Sequence, residues 1–152
     1  MKITPKRYRS DSAKAAVQAA QNVAQGPITP PGCVSLRPQD GAFWNAIVTA
    51  RPRDTWTAAD LVVAANLART QADIEAVQAQ IDGTGLLVDG KPNPACDLLD
   101  KMTRRALAMA RQLMVATIAT VGRAQDIGKG AELERRAAAD HDDLIPTLAT
   151  LQ

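Results

Sequence analysis

The stretch richest in chemical suggestion is GLLVDGKP, residues 85–92, which sets Gly85, Gly90 and Lys91 at the spacing of a phosphate-binding loop. Such a loop turns several glycine-rich amides toward a phosphate, neutralises it with the lysine, and offers magnesium a hydroxyl from the next residue. Here Pro92 stands where the hydroxyl should be, and Leu86, Leu87 and Val88 replace the small interior. No hydrophobic strand feeds Gly85, because the residues before it read as helix. The segment reads instead as a joint. Asn93-Pro94 joins an N-cap to a proline at the first helical position, and Asp89-Gly90 is a turn dipeptide suited to a short extended excursion.

Other reactive side chains are sparse. The single histidine, His141, lies in a charged ADHDDL context, so no Ser-His-Asp triad can be assembled around it. Asp140, Asp142 and Asp143 lack the spacing of a calcium loop and read as solvated surface. Cys33 and Cys96 are far apart and form no C-x-x-C pair, which argues against zinc and fits a reducing cytoplasm. The expectation is a protein that is not an enzyme and uses no cofactor or metal.

Binding is the remaining possibility. A formal net charge of +2 rules out a uniformly basic surface, so any basic patch must be local. Residues 1–14 hold Lys2, Lys6, Arg7, Arg9 and Lys14 against Asp11, and Arg51 and Arg53 flank Pro52 between two helical segments. Lys6, Arg7, Arg9, Lys14, Arg51 and Arg53 are the candidate DNA contacts, and the residues alone fit ordinary solvated surface equally well. The charged N-terminus is followed by no apolar signal region, and no apolar run approaches a membrane span, so no membrane partner is expected.

These residues must be positioned by helices. Four aromatics (Tyr8, Phe43, Trp44, Trp56) amid abundant alanine and leucine favour an all-α fold over a sheet. A first helix should start at a Ser10 or Ser12 cap and stop at Gly26-Pro27, where a proline-rich joint, 26–38, begins. Asp40 should cap a short second helix with Phe43, Trp44, Ile47 and Val48 on one face. A helix-turn-helix-like unit is expected here, since short helices feed a third through a tight turn. Thr57 and Asp60 have the spacing of a capping box for a third helix running to Asp82.

That third helix carries Val63, Leu67, Thr70, Ile74, Val77 and Ile81 at alternating spacings of four and three. A fourth, from about Pro94 to Val121, answers with Leu99, Met102, Ala106, Met109, Leu113, Ala116 and Thr120, so the two should form an antiparallel hairpin. The expected organisation is a basic arm 1–10, an N-terminal helical DNA-binding region 11–56, the hairpin 57–121, and a tail or docking segment 122–152.

Both hairpin helices have a second small or apolar face. Leu107, Ala110, Met114, Ile118 and Val121 mark it on the fourth, with Lys101, Arg104, Arg105 and Arg111 on the remaining arc. Ala58, Ala65, Ala68, Ala72, Ala76 and Ala79 mark it on the third. Either the first two helices cover these faces or copies of the hairpin pack side by side. Heterologous contacts that close on themselves give a ring, and a homo-oligomeric ring of more than two subunits is expected.

The order RSDSAKAAVQAAQ, ITPP, FWNAIVTAR, WTAADLVVAANLARTQADIEAVQ and GLLVDGKPNPACDLLDKMTRRAL resembles the small subunit of the terminase, the DNA-packaging motor of tailed double-stranded DNA bacteriophages. The resemblance covers roughly residues 7–125. It implies a non-enzymatic oligomer in the host cell cytoplasm that recognises the packaging-initiation site on double-stranded viral DNA. Such a protein delivers DNA to the large terminase subunit, which carries the ATPase and nuclease, and regulates it. Two other readings fit the residues alone: a dimeric helix-turn-helix transcription regulator, and a helical adaptor without DNA affinity.

Overall fold

The computed structural model describes residues 12–115 and 123–144, excepting the side chains of 123–128 and 140–144. Among the described residues are five α-helices: α1 (Ala13–Ala24), α2 (Gly41–Val48), α3 (Ala58–Thr84), α4 (Pro94–Gln112) and α5 (Arg123–Leu144). Single 3₁₀ turns at Pro38–Asp40 and Arg53–Thr55 precede α2 and α3, and a two-stranded ribbon, β1 (Leu87–Val88) with β2 (Lys91–Pro92), joins α3 to α4. The mostly helical character matches the all-α expectation.

Local chemistry explains where these helices start. The Ser12 hydroxyl accepts from the Ala15 N–H at 3.2 Å. Thr57 and Asp60 make the reciprocal box, with the Asp60 N–H donating to Thr57 Oγ1 at 3.1 Å and the Thr57 N–H to the Asp60 carboxylate at 3.2 Å. Asn93 Oδ1 accepts from the Ala95 N–H at 3.0 Å, with Pro94 behind it. Each cap satisfies an amide that the helix cannot, worth about 1 kcal/mol.

Asp40 departs from its expected role. It precedes α2 without capping it, because Arg37 claims the carboxylate through its backbone N–H (2.7 Å) and its guanidinium (2.8 Å). Asp40 is fully buried, and that guanidinium holds its carboxyl below the ordinary aspartate value. Arg37 also pairs with Asp73 at 2.7 Å, so the proline-rich joint is tied to the middle of α3. Ile28, Val34 and Leu36 of the joint pack on the core, and Trp44 Nε1 donates to the Ile28 carbonyl at 3.1 Å.

The core lies at one end of the hairpin, where α2 rests on α3 beside the C-terminal half of α4. Trp44 and Val48 meet Ala64, Ala65, Leu67 and Ala68, and from α4 come Ala106 and, at its cap, Leu113. Small alanines on α3 let α2 approach closely while the opposite face takes the seam. Leu67 and Ile81 are buried on α3 and Val63, Ile74 and Val77 half-buried; on α4 Leu99, Met102 and Met109 are half-buried. The alanine row is thus covered by the chain itself at Ala65 and Ala68, whereas Ala76 and Ala79, further along, are exposed.

The α4 helix ends nine residues before the expected Val121, at Gln112. Met114 adopts a left-handed φ of 55°, its N–H donates to the Arg111 carbonyl and the Val115 N–H to the Ala110 carbonyl, both at 3.0 Å. This is the hydrogen-bond pattern of a Schellman terminus, with methionine where glycine is usual. Burial of Leu113 and capture of its carbonyl by Arg51 fix the terminus there, outweighing the roughly 1–2 kcal/mol cost of a left-handed methionine. Met114, expected in an apolar row of α4, is half exposed, and Ile118 lies outside the described residues.

Candidate nucleic-acid interface

Arg51 and Arg53 flank Pro52 and bond to different helix ends. Arg51 is 9% exposed: its guanidinium donates to the Leu113 carbonyl at 2.9 Å and to the Thr55 carbonyl, approaches Asp60 at 3.5 Å, and lies 4.4 Å over the Trp56 ring. The charge expected to face DNA is turned inward. It closes the negative end of α4, where unsatisfied carbonyls and the helix dipole favour a cation. Arg53 is half-buried and reaches back to the end of α1, donating to Gln25 Oε1 at 2.9 Å and the Gly26 carbonyl at 2.7 Å.

The same turn receives α5, which the sequence presents only as tail. Glu134 accepts from the Arg53 N–H at 3.0 Å and from Asn22 Nδ2 at 2.6 Å, so one carboxylate joins α1, α5 and the 52–56 turn. Ala131 is buried in that contact. Burial pushes the Glu134 carboxyl above its ordinary value, with the Asn22 and Arg53 hydrogen bonds opposing the shift. A raised carboxyl stabilises the fold most fully below its unfolded value, and that contribution is lost as pH rises through the folded one. Glu134→Gln keeps an acceptor without the charge, so urea midpoints between about pH 4 and pH 7 should vary less with pH than for the parent chain. Glu134→Ala leaves Arg53 N–H without its acceptor and should cost about 1–2 kcal/mol throughout.

Beside this clamp a cleft of about 350 Å³ is lined by Gln18, Asn22, Gln25, Arg53 and Asp54 over Ile28, Trp56 and Leu61. It gathers amides, one guanidinium and one carboxylate rather than a nucleophile and a base. No cluster of three or more metal-ligating side chains occurs among the described residues.

The sequence resembles known proteins over its whole length. The Hendrixvirinae small terminase family matches residues 1–152. The "Terminase, small subunit" of Enterobacteria phage HK97 is 32% identical over 145 residues, covering 89% of this chain and 87% of that protein. The chain belongs to the Hendrixvirinae small terminase family. Membership assigns it to phage DNA packaging.

Within this small terminase the six expected DNA contacts separate into groups. Lys6, Arg7 and Arg9 lie outside the described residues, Lys14 is exposed in the first turn of α1, and Arg51 and Arg53 are held on either side of Pro52. The 85–92 stretch is a ribbon: Asp89 and Gly90 both have positive φ (51° and 75°), the pattern of a type I′ reversal, pairing Leu87 with Pro92 and Val88 with Lys91. Asn93 Nδ2 closes its base by donating to Thr84 Oγ1 at 2.9 Å and the Gly85 carbonyl at 2.8 Å. Lys91 is exposed on this ribbon. Calorimetric titration with ATP should give no saturable heat for the parent chain, and Lys91→Ala should change nothing; saturable binding abolished by the substitution would restore the phosphate-loop reading.

The Glu134 clamp, whose partners lie 112 and 81 residues away, left no signal in the sequence; only the helix surface around it did. Glu132 pairs with Arg135 at 3.1 Å and Arg136 at 3.3 Å, the spacing of a helix surface in ELERR. Its docking partner, Asn22, carries no such signal. His141 falls in the last turn of α5, with its side chain outside those described.

Proposed function

We propose that this small terminase recognises the packaging-initiation site on double-stranded viral DNA, assembles as a ring of more than two copies, and delivers DNA to the large terminase subunit in the host cell cytoplasm while regulating it. The family match over residues 1–152 carries the reading. The chain acts by binding, without catalysis or cofactor, and the large subunit supplies ATP hydrolysis and DNA cleavage. Residues 11–56, with the helix-turn-helix-like order of α1, α2 and the start of α3, hold the DNA, aided by Lys6, Arg7, Arg9 and Lys14. Arg51 and Arg53 serve the stability of the turn, bonded to the end of α4 and the end of α1, rather than the DNA contact.

The hairpin of α3 and α4 supplies the subunit contacts. Its seam residues Val63, Leu67, Ile74, Val77, Ile81, Leu99, Met102, Met109 and Leu113 are largely spent within the chain. Leu107 (48% exposed) and Met114 (50% exposed) remain for a neighbour. Native mass spectrometry tests the assembly: a subunit count above two supports the ring, a dimer supports a two-fold regulator, and a monomer ends both. Truncation after residue 9 should flatten the dependence of log DNA affinity on log salt by about 0.9 for each phosphate no longer neutralised, as titrations on viral and random duplexes will show.

A further inference from the structure

Arg51 is buried and Arg53 tied back, whereas a group of solvent-facing cations lies on the outer side of α4. Residues 101–111, KMTRRALAMAR, contain Lys101, Arg104, Arg105 and Arg111 and no acidic residue. All four cations are exposed, Arg104 with 77% of its side chain accessible. The face opposite them, with Met102, Ala106 and Met109, is the one that packs on α3. Helical spacing sets the four along one side over ten residues, about 15 Å of axis.

We propose that this outer face of α4 is a contact surface for the phosphate backbone of duplex DNA, separate from the N-terminal basic elements. The proposal rests on the DNA-binding reading above and adds to it a second surface on the hairpin itself.

Charge complementarity favours a duplex over a second copy of the chain. Asp60 and Asp73 on α3 are already engaged by Arg51 and Arg37, leaving Glu75 and Asp82 as that helix's other acids. On α5, Glu134 is held by Asn22 and the Arg53 N–H, and Glu132 by Arg135 and Arg136. Duplex DNA offers about one negative charge per 1.7 Å of axis along the whole length. The ion pair that Arg104 makes with Asp100 at 2.6 Å is an exposed i, i+4 pair that a phosphate can displace at little cost. Backbone contacts of this kind position a protein on DNA without reading its sequence.

The test compares three full-length proteins: the parent, Lys101→Gln with Arg104→Gln, Arg105→Gln and Arg111→Gln, and Lys6→Gln with Arg7→Gln and Arg9→Gln. Each is titrated with a labelled random-sequence duplex across salt, with sedimentation velocity on the same samples. The α4 variant should remain folded and keep the parent's oligomeric state, since every altered side chain is exposed. Its log-log salt slope should flatten by about 0.9 per phosphate left unneutralised. Replacing Arg104, Arg105 and Arg111 by Lys should keep the slope, because a phosphate contact follows charge. An unchanged slope in the α4 variant with a flattened one in the arm variant overturns this inference and leaves the proposed function standing. Loss of oligomers in the α4 variant shows a protein interface and also overturns it. A parent chain with no duplex affinity removes both.

Discussion

Leu113→Asp is expected to give a chain that does not reach the native fold. Leu113 is 0% exposed and shares one cluster with Trp44, Val48, Leu67 and Ala106, so the substitution places a carboxylate among apolar side chains, where the nearby donors, Arg51 and Trp44 Nε1, are already bonded to the Leu113, Thr55 and Ile28 carbonyls. An uncompensated buried charge costs several kcal/mol even after relaxation, against a total stability of about 5–15 kcal/mol for an ordinary domain. The position magnifies the effect, because Leu113 also caps α4. Circular dichroism should show reduced helicity, and sedimentation should show aggregates. Leu107→Asp is the control: on the same helix and 48% exposed, it should fold, and any effect should fall on assembly. If Leu113→Asp folds normally, the core does not pass through the end of α4.

Arg51→Ala should cost about 3 kcal/mol. It removes charge-assisted hydrogen bonds to the Leu113 and Thr55 carbonyls, each leaving a group that burial makes expensive, and the stacking on Trp56. Arg51→Lys should recover little, since an ammonium cannot present the planar fork that reaches both carbonyls. Urea unfolding measures both losses. At temperatures where the variant remains folded, its DNA affinity should stay near that of the parent, because the guanidinium points into the protein. A variant that loses DNA affinity without losing stability would return Arg51 to the DNA surface. Arg53→Ala provides the contrast: its side chain bonds the half-open end of α1, so its cost in stability should be the smaller of the two.

Most of the caps were legible in the sequence because they are local. Ser12, the Thr57–Asp60 box, Asn93-Pro94 and Asp89-Gly90 act on backbone groups within a few residues, and their chemistry is the same whatever packs nearby. The mismatch of GLLVDGKP with a phosphate loop was equally plain, since Pro92 has no hydroxyl to give.

The tertiary structure decided where charges go. Arg51, Arg53 and the cations of α4 are alike as letters, yet one is sealed against Leu113 and Trp56, one is folded back on α1, and Lys101, Arg105 and Arg111 are exposed. Asp40 looked like a cap and became the buried partner of Arg37, and the segment at Glu134 looked like a tail and became the clamp on Asn22. The end of α4 belongs with these: no glycine or proline marks Met114, and the turn exists because Leu113 is buried and its carbonyl is held by a residue 62 positions earlier. A long side chain can satisfy itself in several directions at nearly equal local cost. The packing of distant segments selects one, and that selection leaves no mark on the nearest neighbours in the sequence.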